Sequence, residues 1–306
     1  MNATIRAAVR TAHVNGLTVY GIERGYQGLI DGRVKPMGPR DVSGVINKGG
    51  TILRTARCEA FRESEGRRQA VQTLAHHGIE GLIVIGGDGS YRGAHDLHTE
   101  HGIPCIGVPG TIDNDIGGTE YTIGYDTALN TALDAIDKIR DTADSHDRLF
   151  FIEVMGRNSG YLAMMCGVAG GAEAVLVPEY PPDYDALIAS LRNGAALGKR
   201  SAIVVVAEGA GTAMEAARIV SERSAFTDSR VVVIGHLQRG GVPTAFDRIL
   251  ASRLGYAAVN ALLEGEADKM TAWEGKEVLL RPLSTAWEHK TRFHESMGCL
   301  AQTLAS

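Results

Sequence analysis

The sequence predicts an α/β fold in which parallel sheets carry helices on both faces. Short apolar runs of strand length alternate with helix-length segments through most of the 306 residues, as expected for successive strand–helix–strand units. The 38 glycines fall largely after the apolar runs, where a chain turns from a strand into a loop. The length allows one large or two medium domains, and a hydrophobic content of 44% is ample for their cores.

The individual elements are predicted from the spacing of apolar residues and from the glycines that end each run. Strands are predicted for the short apolar runs, at residues 17–22, 81–85, 103–108, 149–154, 172–178, 201–207 and 230–234. Helices are predicted where the apolar residues share one helical face, at residues 1–16, 41–47, 67–77, 91–98, 126–141, 184–197, 212–222 and 245–263. Residues 21–28 are predicted to be a glycine-rich loop, and the chain becomes polar and irregular after Gly265.

Charge and cysteine content narrow the class of protein. The 31 basic and 36 acidic residues leave a net charge of −5, which disfavours nucleic acid or an anionic membrane as the main partner. We also expect no membrane span, since no run approaches the roughly 18 apolar residues that one needs, and no secretion leader. The four cysteines are scattered and are expected to be reduced thiols of a cytoplasmic protein.

The stretch GVPGTIDND at residues 107–115 brings several oxygen-bearing side chains to the end of a predicted strand. In open α/β sheets, ligands bind beyond the carboxyl ends of the strands. Asp113 and Asp115 are two residues apart, so in an extended segment both carboxylates point to one side. They could then share a metal-bound phosphate or a hydroxyl group. An Asx-rich turn is the structural alternative for the same residues.

A second stretch, GGDGS at residues 86–90, also follows a predicted buried strand and precedes a predicted helix. A glycine turn at a helix N-terminus can bind phosphate through free backbone N–H groups and the helix dipole. Asp88 would repel phosphate unless a divalent cation lies between them, so its presence indicates Mg²⁺. The alternative is a plain strand–turn–helix junction.

Six charged or titratable residues come just after predicted strands. They are Asp88, Asp113, Arg157, Glu208, His236 and Arg239. Each has a structural alternative, such as a surface ion pair, but parallel strands would place all six on one side of the sheets. A carboxylate near Mg²⁺, a second carboxylate free to take a proton, and several arginines suit phosphoryl transfer. The residues therefore indicate a kinase that acts on a small, phosphorylated molecule.

Four segments resemble the bacterial 6-phosphofructokinases in order and spacing, namely residues 85–90, 109–115, 153–157 and 235–241. The resemblance covers nearly the whole chain. It implies two doubly wound parallel-sheet (Rossmann-like) domains, with nucleotide bound by residues 1–124 and 238–288 and sugar phosphate by residues 125–237 and 289–306. It also implies a cytoplasmic homotetramer that acts in glycolysis. The implied reaction converts fructose 6-phosphate and MgATP to fructose 1,6-bisphosphate and ADP.

The resemblance also implies a role for individual residues. Asp113 matches the base that takes the proton of the sugar's 1-hydroxyl, and Thr111 and Arg157 match the groups that stabilise the transferring phosphoryl. Asp88 matches the Mg²⁺ partner. Nucleotide contacts are implied for Arg57, Gly87, Gly89 and Ser90. Sugar-phosphate contacts are implied for Met155, Gly156, Glu208, His236 and Arg239, with Asp115 beside the same site and with Arg148 and Arg230 supplied by a neighbouring subunit.

The phosphoryl donor and the effector site follow from the same resemblance. Pyrophosphate-using relatives carry Asp in place of Gly89 and Lys in place of Gly110, so ATP is the expected donor and pyrophosphate the alternative. Residues matching the family's effector site are Arg6, Arg10, Arg140, Glu173 and Lys199. Leu197, Ser201 and Gly44 replace charged or histidine positions there, so we expect weak or altered effector control.

The N-terminus departs from the family pattern. Family members begin with a strand and a Gly-Gly-Asp-x-Pro-Gly loop, which come before the segment that matches residues 1–6. We expect the native start to lie upstream of Met1, because losing an interior strand leaves buried backbone groups unpaired, each at roughly 1–3 kcal/mol. The alternative is a non-catalytic sugar-phosphate-binding subunit. The presence of Asp113, Arg157 and Asp88 favours the enzyme, since a binding protein needs no base.

Overall fold

The structure is a computed structural model that describes residues 1–226, 228–288, 293 and 295–305. The chain forms two compact units. The first contains residues 1–111, 116–124 and 241–291, and the second contains residues 112–115, 125–240 and 292–306. The predicted boundaries place residues 112–115 and 238–240 in the first part instead. Of the predicted tail at 289–306, residues 289–292, 294 and 306 lie outside the described part.

The described residues form ten strands and eleven α-helices. The strands are β1 Val19–Ile22, β2 Val34–Met37, β3 Leu82–Gly86, β4 Cys105–Pro109, β5 Leu149–Val154, β6 Ala174–Leu176, β7 Ala202–Ala207, β8 Ser229–Val233, β9 Lys269–Glu274 and β10 Glu277–Pro282. The helices are α1 Asn2–Val14, α2 Gly25–Ile30, α3 Ser64–His77, α4 Asp88–His101, α5 Tyr125–His146, α6 Tyr161–Ala169, α7 Tyr184–Ala196, α8 Ala213–Arg223, α9 Ala245–Leu263, α10 Thr285–Glu288 and α11 Glu295–Ala305. Within the described ranges, no helix has the length and apolar content needed to cross a membrane.

The first unit is built on a four-stranded sheet in the order β10-β9-β4-β3. Strand β4 is buried along its whole length and pairs in parallel with both β3 and β9, whereas β9 and β10 form an antiparallel hairpin. Helix α9 packs on this sheet through Leu250 and Leu254. Helix α1 lies so close to α9 that a Cβ on Gly255 would be 2.8 Å from the Thr4 carbonyl oxygen. Glycine at position 255 therefore permits this helix pair.

The second unit is built on a four-stranded sheet in the order β6-β7-β5-β8, in which all neighbours are parallel. Its central strands β5 and β7 are almost entirely buried. Leu187 and Leu191 of α7 and Val220 of α8 pack against Phe151 and Val204 of the sheet in one apolar cluster. Because the strands run in one direction, the loops that follow them emerge at a common edge.

The predicted α/β fold with parallel sheets is confirmed, but the helix predicted over residues 41–47 is wrong. This segment forms turns, and Gly44 adopts a φ of 64° that interrupts a helix. Val42 and Val45 are nevertheless buried, with exposures of 0% and 4%. The apolar spacing that suggested a helix is therefore satisfied by two side chains packing inward from successive turns.

Other elements were missed because their sequences lack the expected pattern. The region after Gly265, predicted to be irregular, contains the β9–β10 hairpin, which turns at Gly275 with a φ of 60°. Both strands carry charged residues at or near their ends, and only β9 has a short buried centre, since the middle of β10 is half-buried. Helix α2 occupies part of the predicted glycine-rich loop. Helix α6 is apolar almost throughout, so it shows no contrast between two faces.

Candidate active site

The segment with residues 112–115 belongs to the second unit, bends at residues 112 and 113, and continues through a left-handed Asn114. Asn114 has a φ of 49° and is only 1% exposed. Asparagine adopts this left-handed conformation more readily than most residues. The Ser159 hydroxyl donates to the Asp113 carbonyl oxygen at 3.5 Å. The backbone of the segment is therefore joined to the loop that follows β5.

The Asp113 carboxyl group has an unusual electrostatic environment. Burial, and then the nearby Asp115 carboxylate, raise the pKa of Asp113 from 3.8 to about 6. The Arg239 guanidinium opposes this rise in pKa, and Glu208 adds to it. The structure thus brings four predicted site residues close enough to influence one another. A carboxyl group with a pKa near the working pH can act as a general base.

The loop after β5 is held in one conformation by close backbone packing. Gly156 has a φ of 138°, and a Cβ there would lie 2.5 Å from the Ser159 carbonyl oxygen. The Met155 N–H donates to Gln238 Oε1 at 2.8 Å. Sequence reasoning missed Gln238, which is 1% exposed. Its position within the motif at residues 235–241 is the signal that could have identified it.

The loop after β7 packs directly against the loop after β5. The Gly209 N–H donates to the Gly156 carbonyl oxygen at 3.1 Å, and a Cβ on Gly209 would lie 2.0 Å from the Arg157 carbonyl oxygen. This contact requires glycine at position 209. It places Glu208 beside the segment that carries Arg157.

The C-terminal edge of the second sheet therefore collects most of the predicted sugar-phosphate residues. A 3₁₀ turn, Gly235–Arg239, follows β8 and carries His236 and Arg239 on its exposed side. Arg157 and Glu208 follow β5 and β7, and both are exposed. Exposed cationic groups can bind an anionic substrate, and the half-buried carboxyl group beside them can accept a proton from that substrate.

Two predicted site residues lie at the other end of the same sheet. Arg148 precedes β5 and Arg230 lies near the start of β8. Both bind the Asp228 carboxylate, with Nε–Oδ2 and Nη1–Oδ1 distances of 3.4 Å and 2.5 Å. The six residues of β5 span about 20 Å. Within one chain, the structure does not bring these arginines to Arg157.

The predicted phosphate loop lies in the first unit, between β3 and α4. Gly87 precedes the helix, and Asp88, Gly89 and Ser90 form its first turn. A Cβ on Gly86 would lie 2.4 Å from Ser90 Oγ, whereas a Cβ on Gly87 or Gly89 would meet no heavy atom within 4 Å. The turn therefore needs Gly86 for packing and leaves open space above Gly87 and Gly89.

The donor set around Asp88 fits one mode of Mg²⁺ binding. Among the described residues, no group of three or more His, Cys, Asp and Glu side chains could hold a metal ion alone. Mg²⁺ in phosphoryl-transfer sites is usually bound by one or two carboxylates together with substrate phosphates and water. A half-exposed Asp88 beside an open glycine turn matches that mode. Arg57, also predicted to contact nucleotide, is exposed on a loop of the same unit.

The predicted effector residues of the second unit are bound by protein groups. Arg140 donates to the carbonyl oxygens of Gly170 and Gly171 at 2.5 Å and 2.6 Å. Glu173 accepts from a backbone N–H at 2.6 Å, and Lys199 Nζ donates to the Ala305 carbonyl oxygen at 2.6 Å. Glu173 and Lys199 line one cavity of about 260 Å³. Arg6 and Arg10 lie on α1 in the first unit.

Known proteins resemble this chain over its whole length. The family profile described as Phosphofructokinase matches residues 1–262. A protein of Halalkalibacterium halodurans named ATP-dependent 6-phosphofructokinase is 53% identical over 305 residues, covering 100% of this chain and 95% of the relative. One of Thermus thermophilus, named ATP-dependent 6-phosphofructokinase 1, is 54% identical over 306 residues with the same coverage.

Solved structures give the same fold. The phosphofructokinase of Pichia pastoris has a TM-score of 0.90 and 37% identity, and the match covers 100% of this chain and 38% of that longer chain. A pyrophosphate-dependent phosphofructokinase of Marinobacter aquaeolei has a TM-score of 0.84 at 22% identity, over 100% and 88% of the two chains. The second likeness concerns the fold alone. The predicted resemblance is confirmed, and the chain belongs to the phosphofructokinase family.

Proposed function

We propose that this protein is an ATP-dependent 6-phosphofructokinase, which transfers a phosphoryl group from ATP to the 1-hydroxyl of fructose 6-phosphate. The products would be fructose 1,6-bisphosphate and ADP, in glycolysis. The observation that carries the proposal is Asp113, a half-buried carboxyl group with a raised pKa, next to loops bearing Arg157 and Arg239. The relatives that are more than half identical over the full chain support the same activity.

In the proposed mechanism, Asp113 acts as the general base. Its pKa of about 6 leaves it largely ionised near pH 7, yet basic enough to take the proton of a sugar hydroxyl as that oxygen attacks phosphorus. Arg157 and Thr111 would stabilise the charge on the transferring phosphoryl. Arg239, His236 and the neighbouring loop groups would hold the sugar phosphate, since guanidinium binds phosphate through two parallel hydrogen bonds.

The nucleotide would bind to the first unit. The open turn at Gly87 and Gly89 leaves room for phosphate groups, and Ser90 and Arg57 would contact them. Asp88 would hold Mg²⁺, which when bound neutralises charge on the phosphates. The proposed roles thus divide between the units, with nucleotide and metal in the first and the base and sugar phosphate in the second.

ATP is the proposed donor because of the space at Gly89. An Asp at this position would place a carboxylate in the open volume, where it would repel and collide with the rest of a nucleotide. At Gly110, a Cβ would lie 3.2 Å from Ile85 Cγ2, so a lysine would have to displace its neighbours. Pyrophosphate remains the alternative donor for the experiment below.

We further propose a homotetramer, located in the cytoplasm, whose active sites are shared between subunits. Arg148 and Arg230 lie at the opposite edge of the sheet from Arg157, so they would complete the site of a neighbouring chain. Mixing two inactive variants tests this arrangement. Asp113→Asn and Arg230→Ala protomers should regain activity when refolded together, because some hybrid sites contain neither substitution. Mixtures that stay inactive would refute shared sites.

Effector control is proposed to be weak or altered. Arg140 and Lys199 already donate to backbone carbonyl groups of this chain, and an anionic effector would have to replace those contacts. Leu197, Ser201 and Gly44 replace charged or histidine positions, and this replacement also weakens the binding of an anionic effector. A strong response of the fructose 6-phosphate saturation curve to ADP or phosphoenolpyruvate would contradict this.

The activity is tested by measuring fructose 1,6-bisphosphate formation with fructose 6-phosphate, Mg²⁺ and either ATP or pyrophosphate. Turnover with ATP and not with pyrophosphate is expected. Asp113→Ser should reduce kcat by more than the roughly 10²–10⁴-fold typical of a base alone, with little change in fructose 6-phosphate affinity. A folded wild-type protein that binds the sugar phosphate without turnover would support the binding-subunit alternative instead.

A further inference from the structure

A series of side-chain contacts, not used in the proposed reaction, begins at Asp88. Arg92 lies one turn further along α4, and its Nε donates to Asp88 Oδ1 at 2.8 Å. The guanidinium carbon of Arg92 is 4.6 Å from the centre of the Trp287 ring. Trp287 in turn meets the His95 ring at 5.7 Å between ring centres. His95 Nδ1 lies 2.8 Å from Asp268 Oδ1.

These contacts distinguish Arg92 from an ordinary surface arginine. An exposed ion pair one helical turn apart is weak when both side chains are free to move. Here the guanidinium also lies over an indole ring, and cation–π contact restrains it from the other side. The indole is in contact with His95, which is held by Asp268. Arg92 is thus held in a position where its Nε faces Asp88.

This arrangement matters because Asp88 is the carboxylate proposed to hold Mg²⁺. A guanidinium that occupies Oδ1 neutralises part of the charge that attracts the metal ion. The cation Arg92⁺ and a divalent cation at the same carboxylate also repel each other. Among the described residues, no arginine donates a hydrogen bond to Asp88 Oδ2.

We propose that Arg92 is a positioning residue that holds Asp88 through Oδ1 and competes with Mg²⁺ for that carboxylate. The inference rests on the proposed role of Asp88. Metal binding would weaken the Arg92–Asp88 pair and change the contact of Arg92 with Trp287. Arg92 thereby raises the Mg²⁺ concentration that the site needs.

The first test is a Mn²⁺ titration followed by electron paramagnetic resonance, at a saturating concentration of ADP. Arg92→Met keeps an unbranched helix-forming side chain at a half-exposed position and removes the charge, its hydrogen bonds and the cation–π contact with Trp287. It should bind Mn²⁺ about two- to five-fold more tightly than the wild type, on the scale of one partly exposed ion pair. Arg253→Met is the matched control, because Arg253 stacks over Trp273 at 4.5 Å and donates to the Lys276 carbonyl oxygen. The control should bind Mn²⁺ as the wild type does.

The second test uses the fluorescence of Trp287 in a Trp273→Phe background, which leaves a single tryptophan. Adding Mg²⁺ and ADP should change the emission when Arg92 is present and have a much smaller effect in Arg92→Met. A role confined to helix stability would alter neither readout. Unchanged Mn²⁺ affinity in Arg92→Met, with the same fluorescence response as the wild type, would overturn the inference.

Asp88→Asn separates this inference from the proposed function. If Asp88→Asn loses Mn²⁺ binding while Arg92→Met binds Mn²⁺ as the wild type does, Asp88 keeps its proposed role and the competition by Arg92 is refuted. If Asp88→Asn binds Mn²⁺ normally, the proposed metal role of Asp88 fails, and the role of Arg92 fails with it. Loss of binding in Asp88→Asn with tighter binding in Arg92→Met supports both.

Discussion

Replacing Asp113 with asparagine is expected to stabilise the ligand-free protein above pH 6 while removing its activity. Burial and the Asp115 carboxylate raise the pKa of Asp113 from 3.8 to about 6. The folded protein therefore tolerates the ionised Asp113 less well than the unfolded chain does. Asparagine has nearly the same size and is neutral at every pH, so it avoids this unfavourable ionisation.

The size of the effect follows from proton linkage. Between pH 3.8 and 6, the folded protein keeps a proton on Asp113 that the unfolded chain has already released. The free energy of unfolding therefore decreases as the pH rises through this window, and the decrease is complete above the folded pKa. A rise of about two pKa units corresponds to about 3 kcal/mol, at 1.36 kcal/mol per unit. Relative to wild type, Asp113→Asn should gain up to that amount between pH 4 and pH 7.

The assay is urea unfolding of both proteins at pH values from 4 to 8, followed by circular dichroism. The difference in unfolding free energy should grow between pH 4 and about 6.5 and then become constant. Asp115→Asn removes only the second cause of the raised pKa, so its difference from wild type should be smaller over the same range. Parallel curves of stability against pH for wild type and Asp113→Asn would refute the reasoning, because they would show that Asp113 titrates alike in both states.

Three further predictions concern single side chains. Asp115→Asn should move the acidic limb of the pH profile of kcat/KM to lower pH by less than about one unit, because burial is the larger cause of the raised pKa of Asp113. An acidic limb that stays at the same pH would show that Asp115 does not raise the pKa of Asp113. Gly89→Asp should raise the KM for ATP at least about tenfold with little change in stability, since an acidic residue in the first turn of a helix is favourable and its Cβ meets no neighbour. An unchanged KM would show that this turn does not bind ATP. Gln238→Ala should lower the free energy of unfolding by about 1–3 kcal/mol, because the Met155 N–H loses its acceptor. Urea unfolding measures this change, and a loss under about 0.5 kcal/mol would mean that another acceptor replaces Gln238.

The parts of the fold that the sequence predicted well are local. Strand β5 and helix α9 begin and end at the predicted residues, because each is a long periodic or apolar segment with clear turn residues at both ends. The strand–turn–helix junction of the predicted phosphate loop was also predicted locally, since β3, the glycine turn and α4 follow one another directly in the chain. Conversely, the β9–β10 hairpin depends on pairing with β4, and no short window of sequence records that pairing.

The sequence by itself determined the α/β class, the order of most elements and the motifs proposed to carry the chemistry, because apolar periodicity and glycine turns act over a few residues. Only the tertiary structure decided how those motifs act on one another. Burial and Asp115 raise the pKa of Asp113, Arg239 opposes the rise and Glu208 adds to it, and the last two lie about a hundred residues or more away in the chain. Arg148 precedes β5 and Arg157 follows it, so the direction of the strand places them at opposite ends of the parallel strands. Charge interactions and packing depend on distances in space, and long-range pairing sets those distances.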